Sequence, residues 1–238
     1  DDNYPIKATW SEDGTSLTMT IGGDTSSPNV FKIGSDISLV EGSIKDANGG
    51  ENITNTVKLQ HVPYDYEIIH NNLTGDFIWE NGAVVSEAAG KVKDSITFSQ
   101  NGKPVEGLEI SYTKDDVAEG TIESGTFTLK SVDITKNGNT EKVTFADGDK
   151  LNVTTSSVLR VKDSTEVMNS ITHKNVVNGL VKTITVDDSV TDTISVPKAA
   201  LANPVIIDGK DKLVFNAGLA VTAAQDEVLL KNLTAKGG

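Results

Sequence analysis

Eight times in 238 residues this chain sets Asn or Asp directly before Gly, at Asp13, Asn48, Asn81, Asn101, Asn137, Asp147, Asn178 and Asp208. Such dipeptides enter the positive-φ positions of tight type I′ hairpin turns at little cost, because Gly has no Cβ and Asn or Asp tolerates the left-handed region. Most stand between short runs of β-branched and aromatic residues, such as 95–99 before Asn101 and 126–134 before Asn137. Strands this short and this often interrupted argue against βαβ units and predict an all-β chain.

The chain is long enough for two β domains of ordinary size. The expectation is two antiparallel β-sandwich-like domains of Greek-key topology, 1–118 and 119–238, divided at the polar stretch 114–120. One or two short helices accompany them. Asp163 to Glu166 has the spacing of a capping box and predicts a helix over 164–170. A second helix over 222–234 starts from a similar signal at Thr222 and Gln225, although 228–230 also suits a strand. A faint echo links 145–153 to 207–215, but no period of 20 to 50 residues is visible, which gives solenoids little support.

Charge narrows the partners. The 34 acidic residues outnumber the 21 basic ones, for a formal charge of −13. A field of that sign repels phosphate backbones and anionic lipid, so neither nucleic acid nor membrane insertion is expected. Twenty of the basic residues are Lys, and Arg160 alone carries the planar fork that grips a carboxylate or phosphate at two points.

Catalytic motifs are absent. With no Cys, thiol nucleophiles, thiolate metal ligands and disulfides are all excluded. His61 and His70 are nine residues apart and would face opposite sides of one strand, and His173 stands alone. Asp65 and Glu67 share a strand face, yet a carboxylate pair does glycosidic chemistry only at a set separation with one raised pKa. They read as a solvated face with Tyr64 and Tyr66 turned inward. No Gly-rich phosphate loop or nucleophile elbow occurs. The chain is therefore read as having no catalytic residue and no resident cofactor.

Calcium is the one ion with hard oxygen ligands on offer. The Asp147 and Asp149 turn is the candidate metal site, although it lacks the EF-hand pattern and Asp also favours turns for backbone reasons. Phe77 and Trp79, flanking Ile78, read as a buried central strand and not as a sugar platform. Between Thr183 and Val196 the aliphatic side chains Ile184, Val186, Val190, Ile194 and Val196 fall on one parity and hydroxyls on the other. With a turn at Asp187 and Asp188, this predicts a hairpin whose Thr residues pair across its outer face.

Forty-five Ser and Thr, 18 Asn, no Cys and few aromatics resemble exported bacterial surface proteins in composition. The expected role is a structural unit of an extracellular bacterial surface layer, filament or adhesin stalk that self-associates through its sheets. The competing expectation is a soluble module that binds a glycan or another cell-surface protein through its loops. Residues 1–9, polar and containing Pro5, are a candidate strand for donation to a neighbouring chain.

Overall fold

The computed structural model describes residues 6–13, 17–21, 36–42, 44–45, 48–51, 55–58, 63–223 and 227–237. Its compact units divide at Pro63 and Tyr64, with Asn137–Asn139 grouped with the first. They do not divide at 118 and 119, because strand pairing and a shared core run through that point.

The first unit contains two antiparallel pairs. Strand β1 (Ile6–Trp10) pairs with β2 (Leu17–Ile21), and β3 (Asp36–Leu39) pairs with β4 (Asn55–Lys58). The part of the candidate donor segment that is described, residues 6–9, thus already lies in a ladder within its own chain. Residues 1–5 lie outside the described residues.

The second unit begins with β5 (Asp65–Ile68), β6 (Asn72–Glu80) and β7 (Ala83–Ser86), then a single turn of helix, α1 (Glu87–Gly90). After these come β8 (Ile96–Gln100), β9 (Lys103–Pro104), β10 (Glu109–Ser111), β11 (Val117–Thr121), β12 (Thr126–Leu129), β13 (Ser131–Lys136) and β14 (Asn139–Thr144). Pairs here are antiparallel and the Asn-Gly signals perform as expected. Asn81 and Gly82 turn β6 into β7 with φ of 50° and 78°, and Asn101 and Gly102 turn β8 into β9 with φ of 53° and 70°. Phe98, Phe127, Leu129, Val132, Leu151 and Val153 anchor the core beneath them.

From residue 151 onward the pairing changes. Strand β15 (Leu151–Val161) runs into α2 (Ser164–Ile171) and α3 (Lys174–Val177) and returns as β16 (Thr183–Val186). Next come β17 (Ile194–Val196), β18 (Ala199–Leu201), β19 (Val205–Phe215), β20 (Leu219–Val221) and β21 (Val228–Ala235). Every ladder among them is parallel: β15 with β16, β16 with β19, β17 with β19, β18 with β20, and β19 with β21. Strand β6 also joins β15 in parallel. The chain is mostly β with few helices, as expected, but in this half it coils on itself in stacked passes.

Register makes those passes a ladder. Phe77, Leu159, Ile184, Ile207 and Leu230 stand one above another, as do Val196, Phe215 and Ala235, and Ile194, Leu213 and Leu233. Parallel strands buried within such a coil need continuous apolar contact between rungs, and the inward residues supply it with Val, Ile, Leu and Phe. The predicted hairpin across 183–196 is corrected accordingly. Parity was right, since Ile184, Val186, Ile194 and Val196 are buried, but both arms pair with β19 and not with each other. Asp187 to Thr193 form a corner between two faces of the coil.

Helix α2 starts where the capping signal placed it. The Asp163 carboxylate accepts from the Glu166 amide at 2.8 Å, and Glu166 reaches back to the Lys162 amide at 2.6 Å. The second expected helix is instead β21, the strand alternative at 228–230. Asp208 and Gly209 are not a turn either; they lie inside β19, which bends through positive φ at Lys210 and Asp211. Gly209 is required there by close approach, since a Cβ would sit 2.6 Å from the Asn232 carbonyl oxygen and 2.8 Å from the Cβ atoms of Leu213 and Leu233.

Candidate functional site

The sequence-derived candidates scatter. Asp147 and Asp149 occupy an exposed turn, and the Asp149 carboxylate accepts a hydrogen bond from the Tyr66 hydroxyl at 2.8 Å. The same hydroxyl accepts from the Ala146 amide, so Tyr66 pins the turn to β5. Among the described residues no group of three or more His, Asp or Glu side chains is placed to hold a metal ion. Asp65 and Glu67 share the exposed face of β5 while Tyr66 and Ile68 turn partly inward. His70 is exposed, and His61 lies outside the described residues.

His173 caps a helix. Its Nδ1 accepts from the Asn175 amide at 3.2 Å as the N-cap of α3, and its ring meets Trp79 edge to face at 5.6 Å. Trp79 in turn donates Nε1–H to Ser170 Oγ at 2.9 Å. One aromatic side chain thus ties β6 to both helices. Asn152 donates to Asn72 across the β6–β15 ladder at 3.0 Å.

Sequence reasoning noticed that Arg160 is alone but did not find its company. Its guanidinium contacts Asp187 and Glu87 at 2.8 Å each and Asp76 at 3.3 Å, joining β15, β6, α1 and the corner after β16. A fork with several donors is the side chain that can answer three carboxylates at once. Ser156 donates to the other oxygen of Asp76, and Ser189 donates to Asp187 through both amide and hydroxyl. Burial pushes the Glu87 carboxyl upward, but the Arg160 hydrogen bond and charge outweigh it and hold it below its ordinary range. For Asp187, burial is likewise outweighed, first by Ser189 and then by Arg160.

A second buried carboxylate, Asp116, is fully enclosed. It accepts from the Thr113 amide at 2.9 Å, the Thr113 hydroxyl at 3.1 Å, Ser131 Oγ at 2.5 Å and Lys142 Nζ. Burial raises its pKa, yet Lys142, Ser131 and Thr113 together drive it far below the usual carboxylate value. Lys142, which also contacts Asp133 at 3.0 Å, is raised in return.

These shifts fix the pH response. A carboxylate whose folded pKa lies below its unfolded value of about 4 stabilises the fold above that value and loses its contribution as pH falls through the folded pKa. Asp116, Asp187 and Glu87 are all of this kind. Burial, with a smaller effect of Lys174, also lowers His173, so that ring takes up a proton on unfolding once pH drops below about 6.5. Thermal unfolding followed by circular dichroism from pH 7.5 to 2.5 is therefore expected to show a shallow decline in Tm below about 6.5 and a steep one below about 4. A Tm unchanged down to pH 3 would contradict the pairing.

What the structure offers for contact with other molecules lies at the edges and corners. Strand β11 has β12 as its described strand partner, and β21 has β19. On β21, Leu229 and Leu230 are 47% and 38% exposed. The inward ladder shows why this is unusual: Leu159, Ile184 and Ile207, stacked beneath Leu230, are fully buried. A shallow groove of about 410 Å³ runs along the corner, lined by residues of 162–164 and 189–195. No helix among the described residues is long and apolar enough to cross a membrane. No protein-family model matches this chain, and no curated protein matches it in sequence.

Proposed function

We propose that the protein is a non-enzymatic structural unit of a bacterial extracellular surface assembly, a surface layer, filament or adhesin stalk, that self-associates through its sheets. The observation that carries this reading is β21, an eight-residue strand with one strand partner among the described residues and two exposed leucines on an otherwise buried apolar ladder. A strand edge presents unpaired N–H and C=O groups, and folded proteins normally blunt such an edge unless something is to be added to it. The polar corners and the strongly negative surface suit exposure to solvent.

Sedimentation velocity across a hundredfold range of concentration, with negative-stain microscopy of the same samples, tests this. Mass that rises with concentration and ordered particles are expected; a monomer throughout overturns the reading. Repeating the run with calcium and then with a chelator decides whether the Asp147 and Asp149 turn takes part, an unchanged profile removing calcium from the account. A second reading, a glycan-binding module, is favoured by the corner groove, where Ser189, Thr191, Asp192, Thr193 and Ser195 offer hydroxyl and carboxylate groups. It predicts a persistent monomer with hits on a glycan array that Asp192→Ala abolishes.

A further inference from the structure

We propose that β21 of one chain pairs antiparallel with β21 of a second copy, about a two-fold axis passing between Lys231 and Asn232. This rests on the self-association reading above and names the surface and the partner. An isologous contact requires one patch to complement itself, and an edge strand does so when its own sequence, reversed, sets compatible side chains opposite each other.

Reversal of β21 does this. With the axis between Lys231 and Asn232, Val228 faces Ala235, Leu229 faces Thr234, Leu230 faces Leu233, and each Lys231 faces an Asn232. No like charges stand directly opposite, which would be destabilising in an antiparallel pair. Charge also suits this edge to a second copy. In a chain of net charge −13, residues 228–236 contain two Lys and no Asp or Glu. This is a stretch where two copies approach without carboxylates meeting, and elsewhere their common negative charge keeps them apart.

The opposite edge of the same sheet is built against such contact. The β11–β12 register shifts between Val117 and Glu119, Gly120 takes φ of 77°, and a Cβ at Gly120 would strike the Thr126 carbonyl oxygen at 2.2 Å. A bulge and a charged side chain are the usual means of blunting an edge. The register of β21 with β19 does shift between Asp208 and Leu213, but on β21 the one residue of positive φ is Asn232, at 49°. Its amide side chain is held by the Asp208 carboxylate at 3.0 Å, so the bend is fixed. Pairing two copies covers the exposed leucines and extends the nine-stranded sheet across the axis.

Two measurements on the whole chain test the proposal. Leu230→Lys is expected to weaken dimerisation in sedimentation velocity by at least tenfold with the circular dichroism spectrum unchanged. Because the chain has no Cys, Leu229→Cys with Thr234→Cys places thiols only at positions the register sets opposite each other. Mild oxidation is expected to give a disulfide-linked dimer on a non-reducing gel, while Leu229→Cys alone gives none. Wild-type association that survives Leu230→Lys, with no cross-link in the double variant, overturns this inference and leaves self-association through another surface. A cross-link from Leu229→Cys alone overturns the register. A wild-type chain that stays monomeric at every concentration overturns both this inference and the function it rests on.

Discussion

Phe215→Ala is expected to lower the free energy of unfolding by about 4 kcal/mol, as removing a buried Phe generally costs 3–5 kcal/mol in lost transfer energy plus the cavity left behind. Phe215 is fully buried and sits in the middle of its ladder, with Val196 on one side and Ala235 on the other. Neither neighbour can collapse into the gap without pulling its rung off register, which keeps the cost from falling below that range. Urea unfolding followed by circular dichroism measures it through the shift in midpoint at constant slope. Leu229→Ala, on the exposed side of β21, serves as the comparison and is expected to cost under about 1 kcal/mol. Equal costs at the two positions would mean that the parallel ladder is not the core.

Arg160→Met is expected to be the most damaging loss of a charge, at about 3 kcal/mol, because removing one member of a partly buried ion network leaves its partners uncompensated. Three carboxylates, Asp76, Glu87 and Asp187, would then face one another without a cation. The sign of the pH effect separates this from simple loss of packing. In the wild-type chain Glu87 and Asp187 titrate low, so acid weakens the fold. Without the guanidinium, burial and mutual repulsion hold their pKa values above the ordinary range, and protonation relieves the strain. The variant's deficit relative to wild type should therefore shrink as pH falls from 7 to 5. A deficit independent of pH would assign the role of Arg160 to its aliphatic stem.

Local signals in the sequence read well and long-range ones did not. The Asn-Gly turns at 81 and 101, the cap at Asp163, the inward parity of Ile184, Val186, Ile194 and Val196, and the burial of Phe77 depend on residues within a few positions of one another. Their physics is steric or periodic, and a single chain displays it. The pairing of 183–185 with 206–208 and of these with 229–231 depends on residues about 23 positions apart along the chain (Thr183, Ile206 and Leu229). What those rungs share is apolarity at alternate positions, and Ile over Ile over Leu leaves no motif.

Two features hid the coil further. Helices α2 and α3 are inserted between β15 and β16, which makes the spacing from Leu159 to Ile184 differ from the later ones. The Asp208 and Gly209 pair imitates a hairpin turn, although the Gly is there to let the Asn232 carbonyl come close. The Arg160 network was invisible for a different reason. Its three carboxylates come from residues 76, 87 and 187, and no spacing rule joins them. The one usable sign was that Arg appears a single time among twenty Lys, which marks a position where an ammonium could not have replaced the fork.

Stacked rungs also give the second unit a direction under load. In a coil each pass touches only the passes above and below it. Tension on the chain near residue 237 would bear on the β19–β21 ladder one hydrogen bond at a time, as a zip opens, while β15, held by β6, β12 and β16, would share the strain among several ladders at once. Force entering at that end would be spent by graded peeling, with the Arg160 network reached only after the β19–β21 and β16–β19 ladders have opened.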